Sequence, residues 1–301
     1  MQEYRENNKI VIFTKQKKLT GVNYVLLWLA KNKKFKVVCK KDSEVKRYCN
    51  ENYINYIEYN LIALLKEIRS SHKIITARTA ETIEALILTI VTGNHKKVVK
   101  LKLRNDKTHT ELIKSMVREV KVGWVDDSLF IEKIPTKVNY NITMISRLKP
   151  GKRILKTVLS ILETGLKVNF KIRGDGELNE ALKIIGKSNI VFINRKLDLK
   201  EYKDLIDESL VIVYPSHGSD ITCRTVLEGM ARGSIIINFE PLARSYVIDG
   251  KTGFNLSPDR RDTPLKITSI LLNRKVLRKI SLNSLKGAKK YLASSIPLPF
   301  L

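Results

Sequence analysis

The sequence predicts an α/β protein of two units, each a parallel sheet covered by helices. Three observations carry that expectation. Apolar runs of strand length alternate with segments of helical period, as they do in parallel sheets buried on both faces. The alternation breaks at the polar, proline-bearing stretch EKIPTKVNYN (132–141) and then restarts. The length of 301 residues suits two domains of roughly 150 residues each. The economical division is 1–138 and 139–301.

In the first unit KIVIFT (9–14) precedes the helical segment GVNYVLLWLAKN, and FKVVCK (35–40) follows. KIITA (73–77) precedes TAETIEALILTIV, KKVVKLKL (96–103) precedes THTELIKSMV, and VKVGWV (120–125) closes the series. The second unit opens with ITMISR (142–147), the helix RILKTVLSILETG and KVNFKIRG (167–174). NIVFINR (189–195), the helix LKEYKDLIDES, LVIVYPS (210–216), a helix over 221–232 and SIIINF (234–239) complete it. The end is helical and basic, LLNRKVLRKISLNSLKGAKKYLASS, with a short apolar tail, IPLPFL. Two Rossmann-like units follow from this order. Ligands of such sheets sit beyond the carboxyl ends of the strands.

Charge dominates the composition: 56 Lys and Arg against 30 Asp and Glu, net +26. It is spread evenly, with 28 basic and 15 acidic residues in 1–140 and the same numbers in 141–301. Such a field favours nucleic acid, an anionic membrane surface or a phosphorylated substrate. Codon bias gives the same enrichment, and only two Gln, Gln2 and Gln16, accompany the many Lys, Ile and Asn. No apolar stretch reaches the ~20 residues of a membrane span. The beginning, MQEYRENNKIVIF, has acidic residues and no small-residue cleavage site, so no signal peptide is expected. Cys39, Cys49 and Cys223 fall in no metal or redox spacing and read as reduced thiols of an intracellular protein. The expectation is a cytoplasmic protein; peripheral membrane attachment through the basic end stays open.

The loops after the strands of the second unit hold the candidate chemistry. Arg147 ends one strand and Lys152 lies five residues on, at a helix entry. Two cations there suit a diphosphate, or form a solvated basic turn. RGDGEL is a tight turn with Glu177 opening a helix. In YPSHGSDITCRTVLEGMARGSIIINF, Asp220 is placed as the N-cap of the helix 221–232. Glu228 lies two turns in, on roughly the same side, among core-like neighbours. A carboxylate there costs several kcal/mol unless it is paired or binds something. Two ribose hydroxyls would satisfy it, and the amides of Ile221, Thr222 and Cys223 would face a phosphate or sugar.

SRLKPGK, IRGDGEL, VFINR, the stretch carrying Asp220 and Glu228, and VIDGKTGFNL occur in order over 142–256. The series resembles the donor half of retaining GT-B glycosyltransferases, glycosyltransferase family 4. Asp220 and Glu228 stand at that family's two acidic positions, GMARG (229–233) at its small-residue helix end, and Arg147 and Lys152 on its Arg and Lys. In the first unit LTGVNYVLLWLA resembles the glycine turn facing acceptor and donor phosphates, with Gly21 at the turn. The resemblance implies a retaining, metal-independent hexosyltransferase with a nucleotide-diphosphate sugar in a cleft between domains and no cofactor. Glu228 would hold the ribose, Arg147 and Lys152 the leaving diphosphate, and Asp220 the transferred sugar. Ile221, Thr222 and Cys223 would offer amides, and Arg195 belongs to the stretch Asn194–Lys196 near which the base is selected. The acceptor is unknown; the charge suits an anionic or membrane-associated one.

The sequence departs from the family pattern in places. Asp220 is one methylene shorter than the usual Glu, and Ile221, Thr222 and Cys223 replace a Gly-Phe-Gly. Ala243 stands for a glycine, and Ser245 and Tyr246 where a Glu is expected. His72, His95 and His109 miss the offset of the family's first-domain histidine, and His217 is a lone loop histidine. Three alternatives follow: a nucleic-acid-binding protein, a transferase that glycosylates DNA, and an inactive relative that retains the nucleotide site.

Overall fold

The computed structural model describes residues 10–18, 21–93, 98–102, 118–121, 124–135, 141–186, 190–215 and 223–295. The expected helix at 108–117, the positions Asp220, Ile221 and Thr222, the histidines His95, His109 and His217, and the tail 296–301 lie outside these. The chain divides into two compact units, the first ending at Val122 and the second running Gly123–Ile296.

In the first unit the order is β1 (Ile10–Phe13), α1 (Gly21–Lys33), β2 (Lys36–Cys39), α2 (Glu44–Glu51) and β3 (Tyr56–Glu58). α3 (Leu61–Ser70), β4 (Lys73–Thr76), α4 (Thr79–Val91), β5 (Val98–Lys102) and β6 (Arg118–Lys121) follow. All strands are parallel, in the order β3-β2-β1-β4-β5-β6. Val11, Phe13, Val38 and Ile74 from the strands pack on Leu64, Ile68 and Ala85 from the helices. Apolar alternation does not reveal α2 or β3. α2 is charged and buries only Val45 and Cys49, and β3 is a three-residue edge strand of half-buried side chains. Caps mark the helices instead: Ser43 Oγ accepts from the Lys46 amide, and Asn60 Oδ1 from the Ala63 amide.

The second unit contains β7 (Asn141–Ile145), α5 (Ile154–Leu162), β8 (Asn169–Arg173), α6 (Asn179–Gly186), β9 (Ile190–Ile193) and α7 (Leu199–Glu208). β10 (Val211–Tyr214), α8 (Arg224–Ala231), β11 (Ile235–Asn238), β12 (Gly253–Asn255), α9 (Thr263–Leu272) and α10 (Arg274–Ala288) complete it. Its sheet is again all parallel, β12-β11-β10-β7-β8-β9. β7, β10 and β11 are buried throughout, because apolar clusters cover both faces of the sheet. Counted from its own first strand, each sheet reads 3-2-1-4-5-6. The order therefore reverses between the first and fourth strands, β1 and β4 in one unit, β7 and β10 in the other. That switch opens a crevice at the carboxyl ends.

One segment differs from the sequence reading. Residues 124–135 pack within the second unit. Val125 and Leu129 join its core, the Val125 amide donates to the Tyr291 carbonyl, and Arg232 Nη1 to the Leu129 carbonyl. Arg232, 7% exposed, also forms a bidentate pair with Asp207, its Nε at 2.6 Å. The basic C-terminal helix, α10, lies on the second unit as well. Its Ser281 and Ser284 hydroxyls donate to the carbonyls of Gly233 and Ser234 at 2.5 and 3.1 Å.

Candidate functional site

β7 and β10 are hydrogen-bonded neighbours, with Val211 paired to Ile142 and Val213 to Met144. The loops that follow them leave from the switch point. Arg147 stands two residues beyond β7 and is exposed. Lys152 closes a 3-10 turn, Pro150–Lys152, is half-buried, and its Nζ lies 3.4 Å from Ser146 Oγ. Arg153, left-handed at φ +53°, then starts α5.

The turn after β8 holds this loop in shape. The Ser146 amide donates to the Arg173 carbonyl, the Leu148 amide to Asp175, and the Leu178 amide returns to Leu148. A Cβ on Gly174 would come 1.8 Å from the Ser146 carbonyl oxygen, and one on Gly176 2.5 Å from that of Leu148. The two backbones touch, and only glycine fits, at φ of +157° and +152°. Gly-Asp-Gly is thus a staple on the Arg147–Lys152 loop as well as a turn. The Gly174 amide in turn donates to the Ile193 carbonyl, joining the loop after β9.

Glu228 sits in the second turn of α8 and is 4% exposed. Its carboxylate is paired. Oε1 accepts from Arg224 Nε and Nη2 at 3.1 and 2.8 Å, and Oε2 accepts from the Tyr202 hydroxyl at 2.5 Å. Burial, then the Glu228 charge, pushes the Tyr202 hydroxyl well above its ordinary pKa, so it stays a donor. Arg173, at the end of β8, is close enough to act against that rise, and its Nε is buried without a hydrogen-bond partner among the described residues. The Glu228 charge raises the Arg224 guanidinium. Arg224 lies over the Trp124 ring, 5.6 Å from its centroid. Tyr202, Arg224, Trp124 and Arg173 are the residues that sequence reasoning missed. Arg224 and Glu228 carry a readable signal, an ion-pair spacing of four on one helix.

α8 begins at Arg224, three residues later than expected, and Cys223 is its N-cap at φ +42°. Asp220 is therefore not that helix's N-cap. Cys223 itself is buried, and its carbonyl accepts from the Val226 and Leu227 amides. Arg195, beyond β9, is exposed and forms a bidentate pair with Glu201 at 2.8 and 2.6 Å. That pair, with the Asp198 amide of the capping box, holds Glu201 down to about 2. Arg195 borders a groove of about 710 Å³ beside β9, floored by Phe192, Ile193 and Leu205. Ala243 and Tyr246, two of the departures, are core residues, and Tyr246 packs edge-on to Tyr291 at 5.1 Å. Gly21 opens α1 in the first unit. There a second buried acid, Glu81, 3% exposed, accepts from the Lys15 amide at 2.8 Å and anchors the loop after β1. Among the described residues no three of His, Cys, Asp and Glu form a metal cluster, and no helix is long and apolar enough to cross a membrane.

Two parallel-sheet units of 3-2-1-4-5-6 order, each flanked by helices, define the GT-B fold. Among solved structures, the chain is similar to HepE of Anabaena in complex with UDP, with a TM-score of 0.80 and 13% identity over 96% of this chain and 97% of that one. The complex of HepE with UDP-glucose gives 0.75, covering 97% of each chain. A glycosyltransferase of Rickettsia africae gives 0.73 at 14% identity, covering 94% of each. At these identities the likeness is one of fold. No protein-family model and no curated protein matches the sequence.

Proposed function

We propose that the protein is a retaining, metal-independent glycosyltransferase that takes its sugar from a nucleoside diphosphate donor. One observation carries the reading: a two-cation loop and a helix with a buried carboxylate leave adjacent strands at the switch point of the second sheet. The complexes of HepE with UDP and UDP-glucose support a uridine donor. In the reaction the bond between anomeric carbon and diphosphate oxygen breaks, and the acceptor oxygen bonds that carbon on the same face. The acceptor proton passes to the leaving phosphate. Arg147 and Lys152 stabilise the charge that develops there, the main catalytic contribution. Asp220 contacts the sugar hydroxyls, Ile221, Thr222 and Cys223 offer amides, and Arg195 lies toward the base. Gly21 keeps its proposed role at a phosphate.

Glu228 takes the ribose. A carboxylate has about four acceptor sites, and Arg224 and Tyr202 use three. One ribose hydroxyl fits on Oε2 as it stands. A grip on both hydroxyls requires Arg224 to release Oε1. The test is thermal stabilisation by UDP, GDP, ADP and their sugars, on wild type, Glu228→Ala and the isosteric Glu228→Gln. A ligand at ~100 times its Kd adds about 2.7 kcal/mol. The expected result is a shift with uridine nucleotides, reduced in Glu228→Gln and lost in Glu228→Ala. Wild type unmoved by every nucleotide would overturn the reading.

A further inference from the structure

The first unit carries a basic cavity whose Lys17 and Lys18 precede Gly21 by four and three residues. It has a volume of about 570 Å³ and lies where the loops after β1 and β2 meet the start of α2. Lys17 and Lys18 come from the first loop, Lys41 from the second, and Arg47 from the helix. All four are exposed, and none forms an ion pair with another described residue. A fifth cation, Lys46, is held by Glu58 at 2.6 Å. Asp42 and Glu44 are the carboxylates of the lining; Glu58 neutralises Lys46 and also acts on Lys41, so four cations face two acids. The cavity is held in shape, because the Glu44 amide donates to the Lys17 carbonyl at 2.7 Å and ties the two loops together. The helix end adds little, since Ser43 already caps it.

Lysines outside close ion pairs around a concavity repel one another, and an anion relieves that repulsion. The cavity's size matches small-molecule sites of roughly 300–1,000 Å³. Lysine, as a compact point charge, suits a phosphate, and Arg47 adds a planar donor fork. We infer that this cavity binds a phosphate group of the acceptor. That the occupant is the acceptor rests on the glycosyltransferase reading; the binding itself does not. The phosphate belongs either to a soluble phosphorylated compound or to a lipid headgroup.

The test compares wild type with Lys17→Glu/Lys41→Glu and with Lys275→Glu/Lys279→Glu, which makes the same charge change on the exposed face of α10. Glycerol 3-phosphate is titrated calorimetrically, and vesicles of phosphatidylcholine with phosphatidylglycerol are co-sedimented, both without nucleotide. The expected result is binding of at least one probe, weakened about tenfold in the cavity variant and unchanged in the α10 variant. Response to glycerol phosphate identifies a soluble source, and response to vesicles alone a headgroup. Equal weakening in both variants, weakening in the α10 variant alone, or no binding of either probe by wild type would overturn the inference. Uridine nucleotide stabilisation, measured on the same cavity variant, reports the donor contacts proposed for the second unit separately.

Discussion

Glu228 illustrates how much a single buried charge demands. Its burial costs several kcal/mol unless compensated, and here Arg224 and Tyr202 compensate it with three hydrogen bonds. Removing one partner leaves the acid short. Tyr202→Phe should lower stability by about 1–3 kcal/mol, read from urea denaturation at pH 7. It should also change the alkaline limb. The folded pKa of Tyr202 lies above the unfolded value near 10, so the unfolded state loses its proton first. Stability from this group is intact below pH 10 and falls as pH rises toward the folded value. The variant should lack that component of the fall, and an unchanged alkaline limb would contradict the assignment. Sequence alone could pair Arg224 with Glu228 by their spacing. It could not supply Tyr202, which α7 brings in from 26 positions earlier and which no local pattern marks.

Among the elements, the staple between the loops after β7 and β8 matters most. Gly174→Ala would drive a methyl group into the Ser146 carbonyl and should cost about 3 kcal/mol, with nucleotide stabilisation reduced further because Arg147 and Lys152 move. Gly151→Ala is the control within the same loop, since a Cβ there meets nothing within 4 Å. It should leave both readouts near wild type; parity of the two variants would refute the staple. Most β-strands and the long apolar helices were legible because parallel sheets repeat one simple pattern. α2, α3, β3 and β12 were not read; charge in α2 and edge position in β3 and β12 erase that pattern. The start of α8 lies three residues past the one expected from Asp220, a good cap by residue type.

At the scale of the whole molecule each unit packs its own residues: among the described residues a cluster lies in the first unit, and clusters cover both faces of the second sheet. A fragment spanning 123–296 should fold by itself. One beginning at 139, the division read from the proline-bearing stretch, would lack Trp124, Val125 and Leu129, each no more than 3% exposed. At about 1.5–3 kcal/mol per buried side chain, it should be less stable by about 5 kcal/mol. Circular dichroism melts of the two fragments check this, and equal midpoints would count against it. A polar run with a proline looks like a linker, yet its apolar neighbours on the amino side belong to the later core. Composition marks where packing pauses and is silent on which side the flanking residues go.

The contact of Trp124 with Arg224 makes the molecule its own optical probe. Trp28 and Trp124 are the only tryptophans, and Trp28→Phe leaves a single emitter over the guanidinium that clasps Glu228. A ribose that draws Arg224 away would alter the quenching of that indole. Titration of UDP into Trp28→Phe should therefore move the emission intensity with a saturable midpoint, whereas the same titration into Trp28→Phe/Arg224→Lys should be blunted. The glow of one residue would then time the arrival of UDP, millisecond by millisecond, in a stopped-flow cell.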